Sequence, residues 1–116
     1  MAGLRQHSGA IDVIANKALE KDVPVYIAGF HGFTLDRAEQ DEQVAIDVQG
    51  AIWELNVGAV AAALGATLYI STDGNHTVSS TAGAGKVPFA KVTLAKDSNN
   101  IVWAKQLPQV AVVPTA

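Results

Sequence analysis

Apolar residues alternate with polar ones along most of the chain, and in one place only do they recur at helical spacing. Ile11-Asp12-Val13 alternates, and Ile14 and Ala15 then lead into a polar stretch, Asn16–Asp22. Val23–Ala28 is a β-branched run closed by Gly29, and Pro24 restricts it to a strand start or an edge. Phe30–Leu35 carries Gly32 inside, which predicts a strand that bends or approaches another backbone closely. After a polar, acidic loop, Asp36–Gln43, the segment Val44–Gln49 puts Val44, Ile46 and Val48 on one face. Gly50 interrupts it and Ala51–Leu55 resumes, predicting one long strand with a bend or bulge.

Val57, Val60, Ala61 and Leu64 break the β pattern with i, i+3, i+4, i+7 spacing. Asn56 stands where an N-cap belongs and Gly65 where a helix stops, so the spacing predicts a short helix over about 57–64. Thr67–Ser71 returns to strand, Asp73-Gly74 marks a turn, and Asn75–Ser79 pairs back. Gly83-Ala84-Gly85 is a flexible link. Val87–Leu94 and Ile101–Leu107 are two strands joined around Asp97–Asn100, whose residues tolerate left-handed φ. Seven or eight short strands and one small helix fit a mainly β fold, a compact antiparallel sandwich or barrel. No internal repeat stands out. The ends differ from the middle: Met1–Ala10 has no period and reads as a flexible arm, whereas Pro108–Ala116 is a proline-flanked, extended tail. The domain proper is expected over 11–107.

Composition narrows this picture. A chain of 116 residues supports one domain, and zero cysteines exclude disulfides, thiolate metal sites and a cysteine nucleophile. Alanine supplies 20 residues, over a third of the apolar set, and it buries little area per residue; the core is therefore modest. Charged residues are 16%, below the ~25% of ordinary soluble domains, which points to surface hidden against a partner. A net charge of −3 without a Lys/Arg cluster argues against nucleic acid. The longest apolar run, Val57–Thr67 with its glycines, falls short of the ~20 residues of a membrane span, and no secretory signal opens the chain. A soluble protein made in the cytoplasm is expected.

The chemical motifs are weak. Gly83-Ala84-Gly85-Lys86 lacks the upstream glycine and the following Ser or Thr of a phosphate loop, and a strand follows it. His7, His31 and His76 have no second ligand at metal-binding spacing and read as surface or turn residues. Asp36, Glu39, Asp41, Glu42 and Asp47 lack the order of a calcium loop and read as solvated. No serine sits in a nucleophile elbow. No enzyme activity and no cofactor are expected. Trp53 and Trp103 leave a small carbohydrate-binding module as the alternative function, although core or interface roles suit both residues better. Arms that find no local partner commonly order on another subunit, so the candidate contact residues are Leu4, Arg5, Gln6 and His7 in the arm and Val110, Val112 and Val113 in the tail.

The order of elements also carries a resemblance. Lys21–Gly29, Gly32–Leu35, the acidic loop, Val44–Gln49, Gly50–Leu55, the Val57–Leu64 segment, Gly65–Ile70, a polar hairpin and two closing strands resemble the small tailed-phage capsid decoration, or cement, proteins, over about Ile11–Leu107. The family's usual Gly-Asp before the tyrosine strand is Gly65-Ala66 here. The resemblance implies a β-rich structural virion protein on the outer face of an expanded capsid, with no catalysis. It also implies the major capsid protein and other copies of itself, commonly as a trimer, as partners. Arm and tail are then the expected bridging segments, with Arg5 available to an acidic capsid surface.

Overall fold

The computed structural model describes residues 9–109 and forms nine strands from them: β1 (Ala10–Ile14), β2 (Pro24–Ile27), β3 (Phe30–Thr34), β4 (Gln43–Asp47), β5 (Ile52–Asn56), β6 (Thr67–Ser71), β7 (Val78–Ser79), β8 (Lys86–Leu94) and β9 (Ile101–Gln106). They make two antiparallel sheets, ordered β1-β4-β3-β2 and β5-β9-β8-β6-β7, which curl as a half-barrel and meet where β2 approaches β6 and β3 approaches β8. Pro24 stands at the start of an edge strand, as its missing N–H requires.

Alternation decides what is buried. On β9, Val102, Ala104 and Gln106 point inward while Trp103 and Lys105 point out. The larger core cluster collects Leu55, Leu68, Ile70, Val87, Phe89, Val92 and Val102 from the second sheet. A smaller cluster holds Val13, Ala15, Leu19, Val25, Ala38, Val44 and Ile46 of the first sheet and its loops. Phe33 belongs to the first sheet by backbone and to the second sheet's core by side chain. Its ring stacks on Trp53 at 4.6 Å with 10° between planes and lies 5.9 Å from Phe89.

The loops 15–23 and 34–42 interlock with an approximate twofold relation that the sequence does not display. Ala15 N donates to Glu42 O (2.8 Å) and Thr34 N to Val23 O (3.0 Å); Asp22 N donates to Thr34 O (2.9 Å) and Asp41 N to Ala15 O (2.8 Å). Leu19 and Ala38 exchange both of their backbone bonds. Each bond maps onto another by moving 19 residues along the chain, and the equivalent Asp22 and Asp41 both take left-handed φ, 63° and 70°. Aspartate tolerates that region better than most residues.

Two expectations are corrected. The helix over 57–64 does not form, and the described residues contain no helix. Asn56 Oδ1 accepts the Gly58 N–H at 2.9 Å, as a cap would, but Gly58 turns left-handed (φ 56°) and stops the turn. The Gly58 and Val60 carbonyls are taken instead by Lys96 Nζ, at 2.8 and 3.0 Å. Two helical turns are too few to outlast that competition, because nucleation is costly. Val57 and Ala62 go into the core while Leu64 is 69% exposed, which is not one helical face. The expected long bent strand is likewise two strands in different sheets. The segment 48–51 carries the chain across, with Gly50 at φ 110° and its carbonyl accepting from Lys105 Nζ (3.1 Å).

Gly32 behaves as its position suggests. A Cβ there would lie 2.7 Å from the Asp47 carbonyl oxygen, so β3 and β4 approach only because the side chain is absent. Gly32→Ala is expected to lower stability by ~1–3 kcal/mol, as overpacked cores do. A urea-unfolding midpoint unchanged from the parent contradicts this.

Candidate interaction surface

The outer face of the second sheet presents a regular array. Register places Glu54, Trp103 and Leu94 opposite one another across β5, β9 and β8, and places Ile52, Lys105 and Lys91 in the neighbouring row. All six side chains are exposed. Ile52 is 57% exposed, Leu94 54% and Trp103 44%, so three large apolar groups face solvent on one side of one sheet. Single exposed apolar residues are ordinary, whereas a contiguous group marks an interaction site. A β-bulge between Val92 and Leu94 brings Leu94 opposite Trp103, and Thr93 Oγ1 donates to Trp103 O at 3.2 Å. Beside this array is a hollow of about 540 Å³ lined by Lys91, Thr93, Lys105, Leu107 and Pro108, among others. A second, of about 250 Å³, lies between Ile52, Glu54 and the two tryptophans.

Two histidines join the sheets elsewhere; His31 corrects the expectation of a surface or turn position, whereas His76 does lie in a loop. His31 on β3 is 1% exposed. Its Nε2 bonds the Pro108 carbonyl at 3.2 Å; a carbonyl only accepts, so Nε2 carries the proton. Its Nδ1 then faces the amide nitrogens of Gln106 (3.4 Å) and Gln109 (3.5 Å), both donors. Gln109 also bonds His31 N, His31 O and Val48 O. The beginning of the tail, Pro108 and Gln109, is thereby fastened to the first sheet. Burial lowers the His31 pKa, with the Pro108 carbonyl pulling weakly the other way.

His76 lies in the 72–77 loop, half-buried, with left-handed φ of 55°. Asp73 shapes that loop by accepting from Asn75 N and Ser71 Oγ, both at 2.9 Å, and these bonds hold its carboxyl below the usual value. His76 Nδ1 accepts the Tyr26 N–H of β2 at 3.0 Å, so Nε2 carries the proton to Asn16 Oδ1 at 2.8 Å. Asn16 Nδ2 returns a bond to Gly74 O at 2.8 Å. Burial lowers the His76 pKa first, and the nearby Lys17 charge adds to it against the opposing pull of Asp73.

The remaining candidates separate. Trp53 lies half-buried with one ring face on Phe33, and Trp103 is the exposed tryptophan. Asp36, Glu39, Asp41 and Glu42 are exposed on the 35–42 loop. Asp36 Oδ1 caps Arg37 N, Glu42 Oε1 accepts from Glu39 N, and Glu39 pairs with Arg37 at 3.3 Å. Leu4, Arg5, Gln6, His7, Val110, Val112 and Val113 lie outside the described residues. The array around Trp103 was missed in sequence because it depends on which strands pair. The alternation of β9 alone puts Trp103 and Lys105 on one face without saying what flanks them.

The profile of a family described as phage cement protein matches residues 5–105. No curated protein and no solved structure matches the chain.

Proposed function

The chain belongs to the phage cement protein family, and from that premise we propose that it binds the outer surface of the capsid shell and stabilises it by bridging neighbouring subunits of the major capsid protein. The family is structural rather than enzymatic, and its members act on the phage capsid. The observation that carries this reading is the extent of the match, which takes in nearly all the described strands. The exposed apolar array supports it: a small subunit with a modest, alanine-containing core keeps large apolar side chains outside, as an assembly component does.

In this reading the arm and tail expected at 1–10 and 108–116 reach across subunit boundaries with the contact candidates Leu4, Arg5, Gln6, His7, Val110, Val112 and Val113, while Ala10, Pro108 and Gln109 stay anchored on the first sheet. The subunits associate as a small homo-oligomer, a trimer, so that many modest contacts repeat by symmetry and gain by avidity. The subunits assemble on the virion in the host cytoplasm.

The test uses purified expanded shells that lack the protein. Added protein is expected to bind saturably and to raise the temperature at which shells rupture. Decorated and bare shells rupturing at the same temperature overturns the reading. Deleting residues 1–9 is expected to weaken binding; undiminished binding removes the arm from the mechanism and leaves the tail.

A further inference from the structure

We infer that the outer face of β5, β9 and β8 is the surface that meets the capsid, and that its counterpart there is a protein segment bearing an apolar side chain beside carboxylates. The inference rests on the cement reading and adds which face docks and what it recognises.

The apolar half of the surface is the Ile52–Trp103–Leu94 group. Its members come from three different strands and converge through register, with a bulge used to bring Leu94 opposite Trp103. A half-exposed tryptophan flanked by two exposed aliphatic side chains is the composition of an interface centre. Its ring is held by a strand in mid-sheet, between β5 and β8, so little ordering is required on binding.

The charged half is the Lys91–Lys105 pair. These two are direct cross-strand partners, an arrangement that is destabilising for like charges. Lys105 Nζ is drawn aside to Gly50 O at 3.1 Å, and Lys91 has no polar partner among the described residues. Both line the hollow of about 540 Å³. A carboxylate seated there converts the repulsion into two favourable contacts. The chain is acidic overall, with net charge −3, and Glu54 stands at the other end of the array, so the lysines are a local feature of one side. Two lysines on one side of the array suit a few carboxylates, not a polyphosphate backbone, which needs a broader basic surface.

The experiment measures binding of the full chain to purified expanded shells, comparing the parent with Trp103→Ala, the pair Lys91→Glu/Lys105→Glu, and the conservative pair Lys91→Arg/Lys105→Arg. Trp103→Ala is expected to weaken binding about thirtyfold, the scale of an interface hot spot. The glutamate pair is expected to weaken it at least tenfold and to abolish the loss of affinity that added salt causes in the parent, whereas the arginine pair binds like the parent. Parent binding with all variants equally tight overturns this inference and leaves the cement reading standing. Failure of the parent to bind overturns both. Variants that bind shells normally but change the oligomer mass in light scattering assign the face to contacts between copies, and that also overturns the inference. Should Trp103→Ala unfold, the lysine pairs decide alone, because they remove no buried contact.

Discussion

Phe33→Ala is expected to lower the unfolding free energy by ~3–5 kcal/mol, the range for deleting a buried phenyl ring. Phe33 is fully buried, and it is the residue through which the first sheet enters the second sheet's core. The substitution removes its stack on Trp53 and its tilted contact with Phe89 together. Stabilities of single domains run from about 5 to 15 kcal/mol, so the loss is a large share of the total. The five alanines among the buried core residues, 15, 38, 62, 90 and 104, offer no side chain able to swing into the gap. Equilibrium urea unfolding checks this. The midpoint is expected to fall steeply while the slope stays that of the parent; a loss under 1 kcal/mol contradicts the assignment of Phe33 as the central link.

Acidification is expected to loosen the junction between the sheets. His31 and His76 are each held neutral with the proton on Nε2, and each presents Nδ1 to donors: the Gln106 and Gln109 amides in one case, the Tyr26 N–H in the other. A second proton on either ring puts a donor against a donor. Burial is the main cause that lowers both pKa values in the folded protein, while an unfolded histidine titrates near its ordinary 6.5. The unfolded chain therefore binds more protons below that value, and stability falls as pH drops from about 6.5 towards the lowered folded pKa values. Above about pH 7 the contribution is constant. One histidine gives a limiting slope of about 1.4 kcal/mol per pH unit; half-exposed His76 contributes less, because solvent screens it.

The other charged and titratable groups at these junctions separate cleanly. Around His31 these are Tyr26 opposite it on β2 and Asp47 on β4; around His76 they are Lys17 and Asp73. The lowered Asp73 pKa contributes stability above its ordinary 3.8 that is lost only at more acidic pH, outside the histidine window. Melting temperatures between pH 7.5 and 5 are expected to decline, and more shallowly in His76→Gln than in the parent. A parent curve flat over that range contradicts the neutral-imidazole junctions.

Most strands were legible in the sequence because alternation and β-branching mark them, as in Val44-Ala45-Ile46 or Val102-Trp103-Ala104. Four features were not, each for a physical reason. The 57–64 spacing imitates a helix, but the competitor for its carbonyls is Lys96, which no local window contains. The relation between loops 15–23 and 34–42 resides in backbone bonds and left-handed φ, and it leaves few matching residues beyond Glu20 with Glu39 and Asp22 with Asp41. His31 sits between glycine- and aromatic-rich neighbours and reads as a turn residue until Gln106 and Gln109, over 70 positions away, supply its partners. The Trp103 array is invisible for the same cause, since strand register is a long-range property.

Whether this chain sits on the capsid as a cement subunit is decided by an electron-microscopy map of the intact virion. Density fitting residues 9–109 is expected on the outer shell surface, with the Trp103 face of β5, β9 and β8 turned onto capsid subunits across a subunit boundary. A virion map in which the outer shell carries no such density contradicts that placement.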